Sequence, residues 1–477
     1  MVGQQSQGEV ALSFRDPDGF VFRAGPRIFR CVFPHAVEGL RAFLASAFAA
    51  ERIASGDLIA TTPVSPGDAP ELPLQCEAPR ESLIVEHRPI PFPNYPYEWC
   101  PEMLQAAGSL TLDLAGAALK EGFGLKDGTP YNIMFDGPRP VFLDVLSFEP
   151  RDPLDPIWRP YSQYVQTFLY PLLANRYLGL RIDEILLSHR DGLEPERLRS
   201  LCSIGLSLRP PFLSLITLPA LVSRATHDAG SQRFRAWKAK DPEEASFLMR
   251  RVFGRAAKML RQIPRRRSNP VTRYRFSHNY SQPEMARKEA AVTEFLVDSH
   301  PRDVLDIGCN TGYFSLLAAR IGARVVAIDR DPACIGELWT AAGEGHAGVL
   351  PLVVDIARPP GSCGWLNAEH LSFLERARGR FDCVLMLALV HHLIVNERAP
   401  LHSIFELVAG FTRRAALIEY IEPSDPQFQR ILRGRDALHR DLTRATFEAA
   451  ALRYFRIRVR SEISATRTLY VLDKASP

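Results

Sequence analysis

The sequence has little that would hold the chain together covalently or through a metal ion. None of its eight cysteines forms a C-x-x-C pair, and none has a histidine at zinc-finger spacing. A disulfide framework and a structural zinc site are therefore not expected. We predict no metal site, and a reducing, cytoplasmic setting fits this cysteine usage.

Long apolar runs and a strong net charge are also missing. The longest apolar runs, Pro211 to Val222 and Cys383 to Val390, are shorter than the ~18 residues that a transmembrane helix needs. The first residues lack the basic start and apolar stretch of a signal peptide. A net charge of +4 over 477 residues gives no strong attraction to nucleic acid or to an anionic membrane. We expect a soluble protein without a membrane partner.

The length and the residue pattern predict more than one domain. A chain of 477 residues is too long for one ordinary core. Alternating and helical patterns predict an α+β domain over residues 1–156 and a helical region over residues 157–263. A proline-bounded basic segment at 264–270 is the predicted linker, and a second domain follows over residues 271–477.

The last two hundred residues alternate between strand and helix patterns, which is typical of a parallel, doubly wound α/β sheet. A helix is predicted at 282–298. Strands are predicted near 303–308, 324–329, 349–355, 381–388, 414–421, 454–462 and 467–473. Only a short turn joins the last two strands, so we expect that pair to be antiparallel.

A glycine loop follows the first of these strands. Gly308 and Gly312 let the backbone turn tightly at the carboxyl edge of the sheet, where open α/β proteins bind ligands. The spacing is G-x-x-x-G, with Tyr313 where a dinucleotide fingerprint wants a third glycine. Asp306, just before the loop, suits a ligand with an ammonium group better than a pyrophosphate.

Two more acids end the next two predicted strands. Asp329 ends the second strand, where a carboxylate can accept both ribose hydroxyls of an adenosine. Asp355 ends the third, placed to receive an adenine amino group. Each acid alone could be a helix N-cap. Three of them at successive strand ends, beside one glycine loop, point to an adenosine-bearing ligand.

The segments DIGCNTGYFS, VVAID and FDCVLMLALVHHL resemble, in order, three motifs of the class I S-adenosylmethionine (SAM)-dependent methyltransferases. Asn310 stands where many members carry glycine. The resemblance implies SAM as cofactor and a seven-stranded, Rossmann-like C-terminal domain. It also implies these cofactor-binding residues: Asp306, Gly308, Cys309, Asn310, Gly312, Asp329, Arg330, Asp355, Ile356 and Leu387. We further expect Tyr280 to fold over the cofactor and Lys288 to meet its methionine carboxylate.

More of the chain resembles a subgroup of large bacterial methyltransferases that are similar to a nodulation protein. The matching runs are HNYSQPEMARKEAAVTEFL, TRTLYVL and, near the N-terminus, PYEW, LKDGTPYNIMF and RPVFLDVLSFE. This resemblance covers most of the chain. It supports the reaction class and leaves the methyl acceptor open.

Two histidines follow the fourth predicted strand, beside the expected position of the reacting methyl group. If the acceptor must lose a proton, His391 or His392 can take it. The favoured acceptor is a small molecule or biosynthetic intermediate. An RNA methyl- or carboxymethyl-transferring enzyme is the alternative, and a SAM-binding regulator without turnover is a third. The sequence does not predict the oligomeric state.

The N-terminal region carries a second motif. Asp127 and Asn132 have the D-x-x-x-x-N spacing of a protein-kinase catalytic loop, and Asp144 stands where a kinase places a magnesium-binding aspartate. A glycine-rich loop and the kinase lysine are missing, and Arg30 is the nearest basic candidate. The alternatives are a turn and hairpin stabilised by Asp127 and Asn132, or a kinase-like scaffold without phosphoryl transfer.

Overall fold

The computed structural model describes residues 10–13, 16–73, 76–221, 238–264, 280–345, 348–434 and 441–475. The chain divides into two compact units, Met1–Phe135 with Pro140–Arg266, and Asp136–Arg139 with Arg267–Pro477. The predicted linker lies outside the described residues except for Pro264, and the domain boundaries stay predictions. None of the described helices is both long and apolar enough to cross a membrane.

The first unit opens with a five-stranded antiparallel sheet in the order β1-β2-β3-β5-β4. Its strands are β1 (Val10–Ala11), β2 (Gly19–Ala24), β3 (Arg27–Val32), β4 (Thr61–Pro63) and β5 (Leu83–His87). Two helices, Pro34–Leu44 and Ala47–Ser55, separate β3 from β4. The two helices are separated at Ser46, whose hydroxyl accepts a hydrogen bond from the Ala49 amide and caps the second helix.

The alternation of β2 and β3 divides this sheet into two faces. Phe20, Phe22, Phe29 and Cys31 pack together on one face. Arg30, between two of them in sequence, therefore lies on the opposite face. Thr61–Pro63 pairs with β5 at the edge of the sheet.

Two small strand pairs and a long helix follow. The helix Pro101–Ala118 continues into a 3-10 turn, Leu119–Glu121. Strand β6 (Phe123–Leu125) pairs with β9 (Phe148–Pro150), and β7 (Ile133–Asp136) pairs with β8 (Arg139–Phe142). β7 and β8 therefore form a hairpin across Gly137 and Pro138.

The region predicted to be helical is helical where it is described. Tyr161–Tyr164, Val165–Leu169, Tyr170–Leu173 and Ala174–Leu178 run on as one helix with two π-helical turns. The other described helices here are Ile182–Ser188, Pro195–Leu201, Ile204–Ser207, Leu213–Thr217 and Pro242–Gln262.

The second unit is built on a seven-stranded sheet in the order β12-β11-β10-β13-β14-β16-β15. Its strands are β10 (Asp303–Ile307), β11 (Arg324–Asp329), β12 (Val349–Val353), β13 (Phe381–Met386), β14 (Thr412–Ile421), β15 (Phe455–Ser464) and β16 (Arg467–Lys474). Strands β10 to β14 are parallel, and β16 runs antiparallel to both of its neighbours. All seven predicted strands and the closing antiparallel pair are confirmed.

The described helices of this unit are Gln282–Ser299, Tyr313–Arg320, Pro332–Gly343, Phe373–Ala377, Val390–Val395, Leu401–Phe411, Pro426–Leu432 and Arg444–Ala451. All residues of β10 and β12 are buried, as expected for parallel strands with both faces covered. The strand order reverses at β10, which lies between β11 and β13. That reversal opens the crevice in which such sheets bind ligands.

Candidate active site

The loop after β10 has the backbone conformation that its glycines allow. Gly308, Asn310 and Gly312 have φ values of 76°, 52° and 80°, in the left-handed region. The amides of Gly308 and Cys309 both donate to the carbonyl of Ile328, at 2.8 and 3.0 Å. The loop is thus fastened to β11, with Cys309 buried beneath it.

Asp329 ties this loop to the end of β11. Its Oδ2 accepts a hydrogen bond from the Asn310 amide at 2.9 Å, and its Oδ1 accepts one from the Asp331 amide at 2.9 Å. Burial raises the pKa of Asp329, although these two hydrogen bonds oppose the shift. The carboxylate keeps lone pairs for further donors, because two oxygens offer about four acceptor directions.

Asp306 lies inside β10 and is 3% exposed, so it is deeper than the sequence indicated. Its Oδ2 accepts a hydrogen bond from the Ser315 hydroxyl at 2.6 Å. Burial, reinforced by the negative charge of Asp329, raises the pKa of Asp306 to about 6. The carboxylate therefore braces the first turn of the helix Tyr313–Arg320.

The third acid stands just past β12, which ends at Val353 rather than at the predicted residue 355. The side chain of Asp355 accepts a hydrogen bond from the Ala357 amide at 3.0 Å and so closes a turn. Asp355 and its neighbour Ile356 are half-buried. Arg330, at the end of β11, is exposed, with its Nη1 3.9 Å from Glu397.

The hydrogen-bond acceptors at this edge fit the donor groups of SAM. Ribose hydroxyls, an adenine amino group and an ammonium group all donate hydrogen bonds, and carboxylates are strong acceptors for them. The loop also has no room for larger residues: a Cβ at Gly308 would lie 3.1 Å from the side chain of Leu389. Leu387 follows β13 at the same edge and is 9% exposed.

The two predicted catalytic histidines lie in the helix Val390–Val395. His391 is 5% exposed and packs on Phe428, with ring centroids 5.6 Å apart. Its Nδ1 is buried and has no hydrogen-bond partner among the described residues. Burial lowers the pKa of His391 to about 3 and also lowers that of the half-buried His392. Both rings are therefore neutral at physiological pH.

Tyr280 and Lys288 lie in a buried charge cluster, which we define as Tyr280, Lys288, Glu419, Asp425 and Arg467. The Nζ of Lys288 donates to Glu419 at 2.7 Å and to the Tyr280 hydroxyl at 2.8 Å. The Tyr280 hydroxyl donates to the other oxygen of Glu419 at 2.6 Å. In this arrangement both predicted cofactor contacts are occupied within the protein.

Arg467 completes the cluster at the start of β16. It binds Asp425 through two hydrogen bonds of 2.8 and 3.1 Å, and its guanidinium lies 4.5 Å from the centre of the Tyr280 ring. Sequence reasoning missed Glu419, Asp425 and Arg467. An acid inside the otherwise apolar strand pattern AALIEYI was the available signal for Glu419.

The kinase-like residues of the first unit converge on one hydroxyl. Asn132 donates to Oγ of Ser147 at 3.1 Å, and that hydroxyl donates to Asp144 at 2.6 Å. The other oxygen of Asp144 lies 2.6 Å from Nη1 of Arg30. No group of three or more His, Cys, Asp or Glu side chains in the described part of the chain is arranged to hold a metal ion. The cation that pairs with Asp144 in this structure is Arg30.

Comparison with known proteins bears on the second unit and on the whole chain. Residues 278–458 match a family model described as a methyltransferase domain. The chain is similar to nodulation protein NoeA of Rhizobium meliloti (strain 1021), with 29% identity covering 98% of this chain and 96% of that protein.

Two solved structures are also similar. Magnesium protoporphyrin IX methyltransferase (ChlM) from Synechocystis PCC 6803 with bound SAM has 16% identity and a TM-score of 0.30, covering 40% of this chain and 80% of its own. N-methyltransferase NodS from Bradyrhizobium japonicum WM9 with S-adenosyl-L-homocysteine has 13% identity and a TM-score of 0.32. The match covers 44% of this chain and 94% of NodS. With the strand order and the domain match taken together, the second unit contains a class I SAM-dependent methyltransferase domain, and the chain as a whole is similar to a nodulation protein.

Proposed function

We propose that the chain transfers a methyl group from SAM to a small-molecule acceptor bound at the carboxyl ends of β13 and β14. One observation carries the proposal. The glycine loop and the acids Asp306, Asp329 and Asp355 meet at the edge where the strand order reverses. Beside them, on the β13 side, lies His391 with an unpartnered buried nitrogen.

Each side chain at this edge has a proposed task toward the cofactor. Asp329 accepts the ribose hydroxyls, and Asp355 with Ile356 faces the adenine edge. The backbone from Gly308 to Asn310 lies along the methionine part, and Asp306 offsets its ammonium group through the loop. When bound, SAM supplies a methyl group on a sulfonium, which is transferred by in-line displacement. Cys309, Gly312, Arg330 and Leu387 complete the proposed lining.

His391 is proposed to orient the acceptor. A neutral imidazole has one N–H donor and one acceptor nitrogen, so it can hold a hydroxyl or amine in line with the methyl group. Because its pKa is lowered to about 3, His391 suits this positioning task better than that of a general base near neutral pH. His392, the next residue in the chain, is half-buried and is proposed to help orient the acceptor.

Lys288 and Tyr280 are proposed as positioning residues rather than direct cofactor ligands. The Lys288 ammonium is 1% exposed and already bound by Glu419, so contact with a methionine carboxylate would require it to exchange partners. Through the buried charge cluster these side chains fix the ends of β14 and β16. That edge forms the floor of the proposed acceptor site.

A small acceptor is favoured over RNA by charge. An RNA-binding surface neutralises several phosphates with Lys and Arg, and the net charge of the whole chain is only +4. Two arginines near this edge are also already paired: Arg467 binds Asp425, and Arg444 binds Glu422.

The test is a transfer assay with SAM carrying an isotopically labelled methyl group. Purified full-length protein is incubated with a bacterial small-molecule extract and, separately, with total RNA. Label in a small molecule, lost in Asp329→Ala and retained in Asp382→Ala at the opposite edge of the sheet, is the expected result. Label in RNA alone would overturn the proposed acceptor class. Absence of SAM binding by calorimetry would overturn the function itself.

A further inference from the structure

Two cations of the first unit are held by carboxylates from a single turn. Arg30 lies on β3, on the face opposite the phenylalanine cluster, and Lys126 follows β6 directly. Asp16 approaches Arg30, with 3.3 Å between its Oδ2 and Nη1, and Asp18 forms an ion pair with Lys126. Asp16 and Asp18 both precede β2, so one short segment neutralises both cations.

Arg30 has a stronger, separate partner. Asp144 lies 2.6 Å from the same Nη1, and the Ser147 hydroxyl and the Leu146 amide both donate to Asp144. Burial opposes ionisation of Asp144, but Arg30 and Ser147 together hold its pKa below the ordinary value. Asp144 thus fixes the guanidinium in place, independently of Asp16.

Asp16 is the weakly held member of the group. Its distance to Arg30 is longer than that of Asp144, and burial raises its pKa, so its ionised form is poorly stabilised here. A carboxylate in this condition is readily replaced by a better anion, because a charge-assisted hydrogen bond to arginine is strongest when short and bidentate.

Unpartnered polar atoms remain on this face of the sheet. Nε of Arg30 and Nε2 of His87 are both buried and have no hydrogen-bond partner among the described residues. The Thr61 hydroxyl donates to the Ile59 carbonyl and lies 2.9 Å from Nδ1 of His87, which makes Nδ1 the protonated nitrogen. Nε of Arg30 is therefore a donor that a phosphoryl oxygen can satisfy, whereas Nε2 of His87 is an acceptor that needs a hydroxyl of the ligand.

The charge balance indicates what would fit. With Asp16, Asp18, Asp127 and Asp144 ionised against Arg30 and Lys126, the group carries an excess of two negative charges. Asp16 and Asp18 contribute that excess. A dianionic group that displaces them leaves the total unchanged and takes over their contacts with both cations, whereas a monoanion would reduce the excess to one negative charge.

We propose that Arg30 and Lys126 form a binding site for a phosphoryl-bearing ligand, which the carboxylates of Asp16 and Asp18 occupy in this structure. Arginine and lysine on opposing elements suit a diphosphate, because the planar guanidinium takes two oxygens and the ammonium takes a third. All four residues belong to the first unit, and none of them is among the residues proposed to bind SAM.

The test is calorimetry of the full chain with inorganic pyrophosphate, using variants with opposite expected effects. Lys126→Met and Arg30→Met should each weaken binding by about tenfold or more, since each removes a charge-assisted partner. Asp16→Asn/Asp18→Asn should tighten binding by about tenfold, because the internal competitors are gone. Arg27→Met, which breaks the exposed pair with Glu86 on the same strand, should leave binding unchanged.

Four outcomes decide the proposal. Loss in the cation variants together with a gain in Asp16→Asn/Asp18→Asn supports it. Absence of pyrophosphate binding by both the wild type and Asp16→Asn/Asp18→Asn overturns it. Binding that is equal in Lys126→Met and wild type overturns it as well, because the anion is then held elsewhere. If Arg30→Met fails to fold, the partly exposed Lys126 still decides the question.

The source of the phosphoryl group is separated by further probes. ADP that binds more tightly than pyrophosphate, with adenosine as competitor, assigns the site to a nucleotide. Glucose 1-phosphate that binds more tightly than inorganic phosphate assigns it to a sugar phosphate. Equal affinities assign it to the phosphoryl group alone.

Discussion

Nζ of Lys288 and Oε2 of Glu419 lie 2.7 Å apart, with the two side chains 1% and 0% exposed. Burial lowers the pKa of Lys288, and the ion pair with Glu419 opposes that shift. Removing Lys288 leaves the buried charge of Glu419 without compensation. We expect Lys288→Met to lower the free energy of unfolding by about 3–5 kcal/mol, measured as a shift in the urea denaturation midpoint.

The double variant Lys288→Met/Glu419→Gln is the control for this prediction, because it removes both charges together. It should recover much of the lost stability. Glu462→Gln, which breaks an ion pair of a side chain that is 73% exposed, should change stability by less than about 1 kcal/mol. A Lys288→Met variant as stable as the wild type would contradict the idea of a structural ion pair.

Asp329→Ala should weaken SAM binding by about 1–3 kcal/mol, read by calorimetry. Two effects add: the ribose hydroxyls lose a charged acceptor, and the Asn310 amide loses the hydrogen bond that fixes the loop. Asp329→Asn keeps one carbonyl oxygen and should be milder. Unchanged affinity in a folded Asp329→Ala variant would mean that another residue holds the ribose.

Asp306 should make SAM affinity depend on pH. Its pKa is raised to about 6, so in acid it must lose a proton before it can offset an ammonium group. Affinity should rise by up to tenfold per pH unit below about 6 and level off above it. Asp306→Asn should show no such slope, and an identical slope in both proteins would remove Asp306 from the site.

The same shift has a consequence for stability in the absence of the cofactor. Because the pKa of Asp306 is raised on folding, its favourable contribution is complete below the ordinary value of 3.8. It is lost as pH rises through about 6. Asp306→Asn and the wild type should therefore have similar free energies of unfolding at pH 4. At neutral pH, where Asp306 of the wild type is ionised, Asp306→Asn should be the more stable of the two.

The pH profile of methyl transfer should show no step from His391 between about pH 5 and 8. Burial lowers its pKa to about 3, so the ring stays neutral over that interval. His391→Phe should lower kcat while leaving SAM affinity unchanged, and His391→Asn should retain part of the rate through its polar group. A wild-type inflection near pH 6.5 that His391→Phe removes would show a titrating base instead.

The first unit should not hydrolyse ATP in a magnesium-dependent way. Arg30 already neutralises Asp144 at 2.6 Å, and Asn132 reaches only the Ser147 hydroxyl. We expect any ATPase activity of the purified chain to be unchanged in Asp144→Asn. Activity abolished by that substitution would show that Asp144 serves a metal ion after all.

The sheet of the second unit could be predicted because each strand carries its own local signal. The run VVAI is continuous and apolar and ends at Asp329, and VLDI, apolar except for Asp306, ends at Gly308. The strand ends were less certain: β12 stops at Val353 because the Asp355 side chain binds a nearby amide and turns the chain. Such a turn depends on one hydrogen bond, which periodicity does not reveal.

The contacts of Tyr280 and Lys288 could not be predicted from sequence. Their partner Glu419 lies 139 and 131 residues later in the chain. It meets them through the order of the strands in the sheet, in which β14 takes the fifth place. In the first unit, the kinase-like spacing of Asn132 and Asp144 left open whether their side chains meet, and the structure brings both to the Ser147 hydroxyl. Spacing did not reveal Ser147 as their meeting point, since serine at that position has no distinctive pattern.

The antiparallel strand β16 fits between β14 and β15, so the sheet is closed by its latest strand in sequence. Lys288 is made 131 residues before Glu419, and Asp425 is made 42 residues before Arg467. While the chain emerges from the ribosome, the earlier member of each pair has no counter-charge and stays in water. The edge formed by β14 and β16 therefore assembles late, after the glycine loop and β11 have been synthesised and are able to pair.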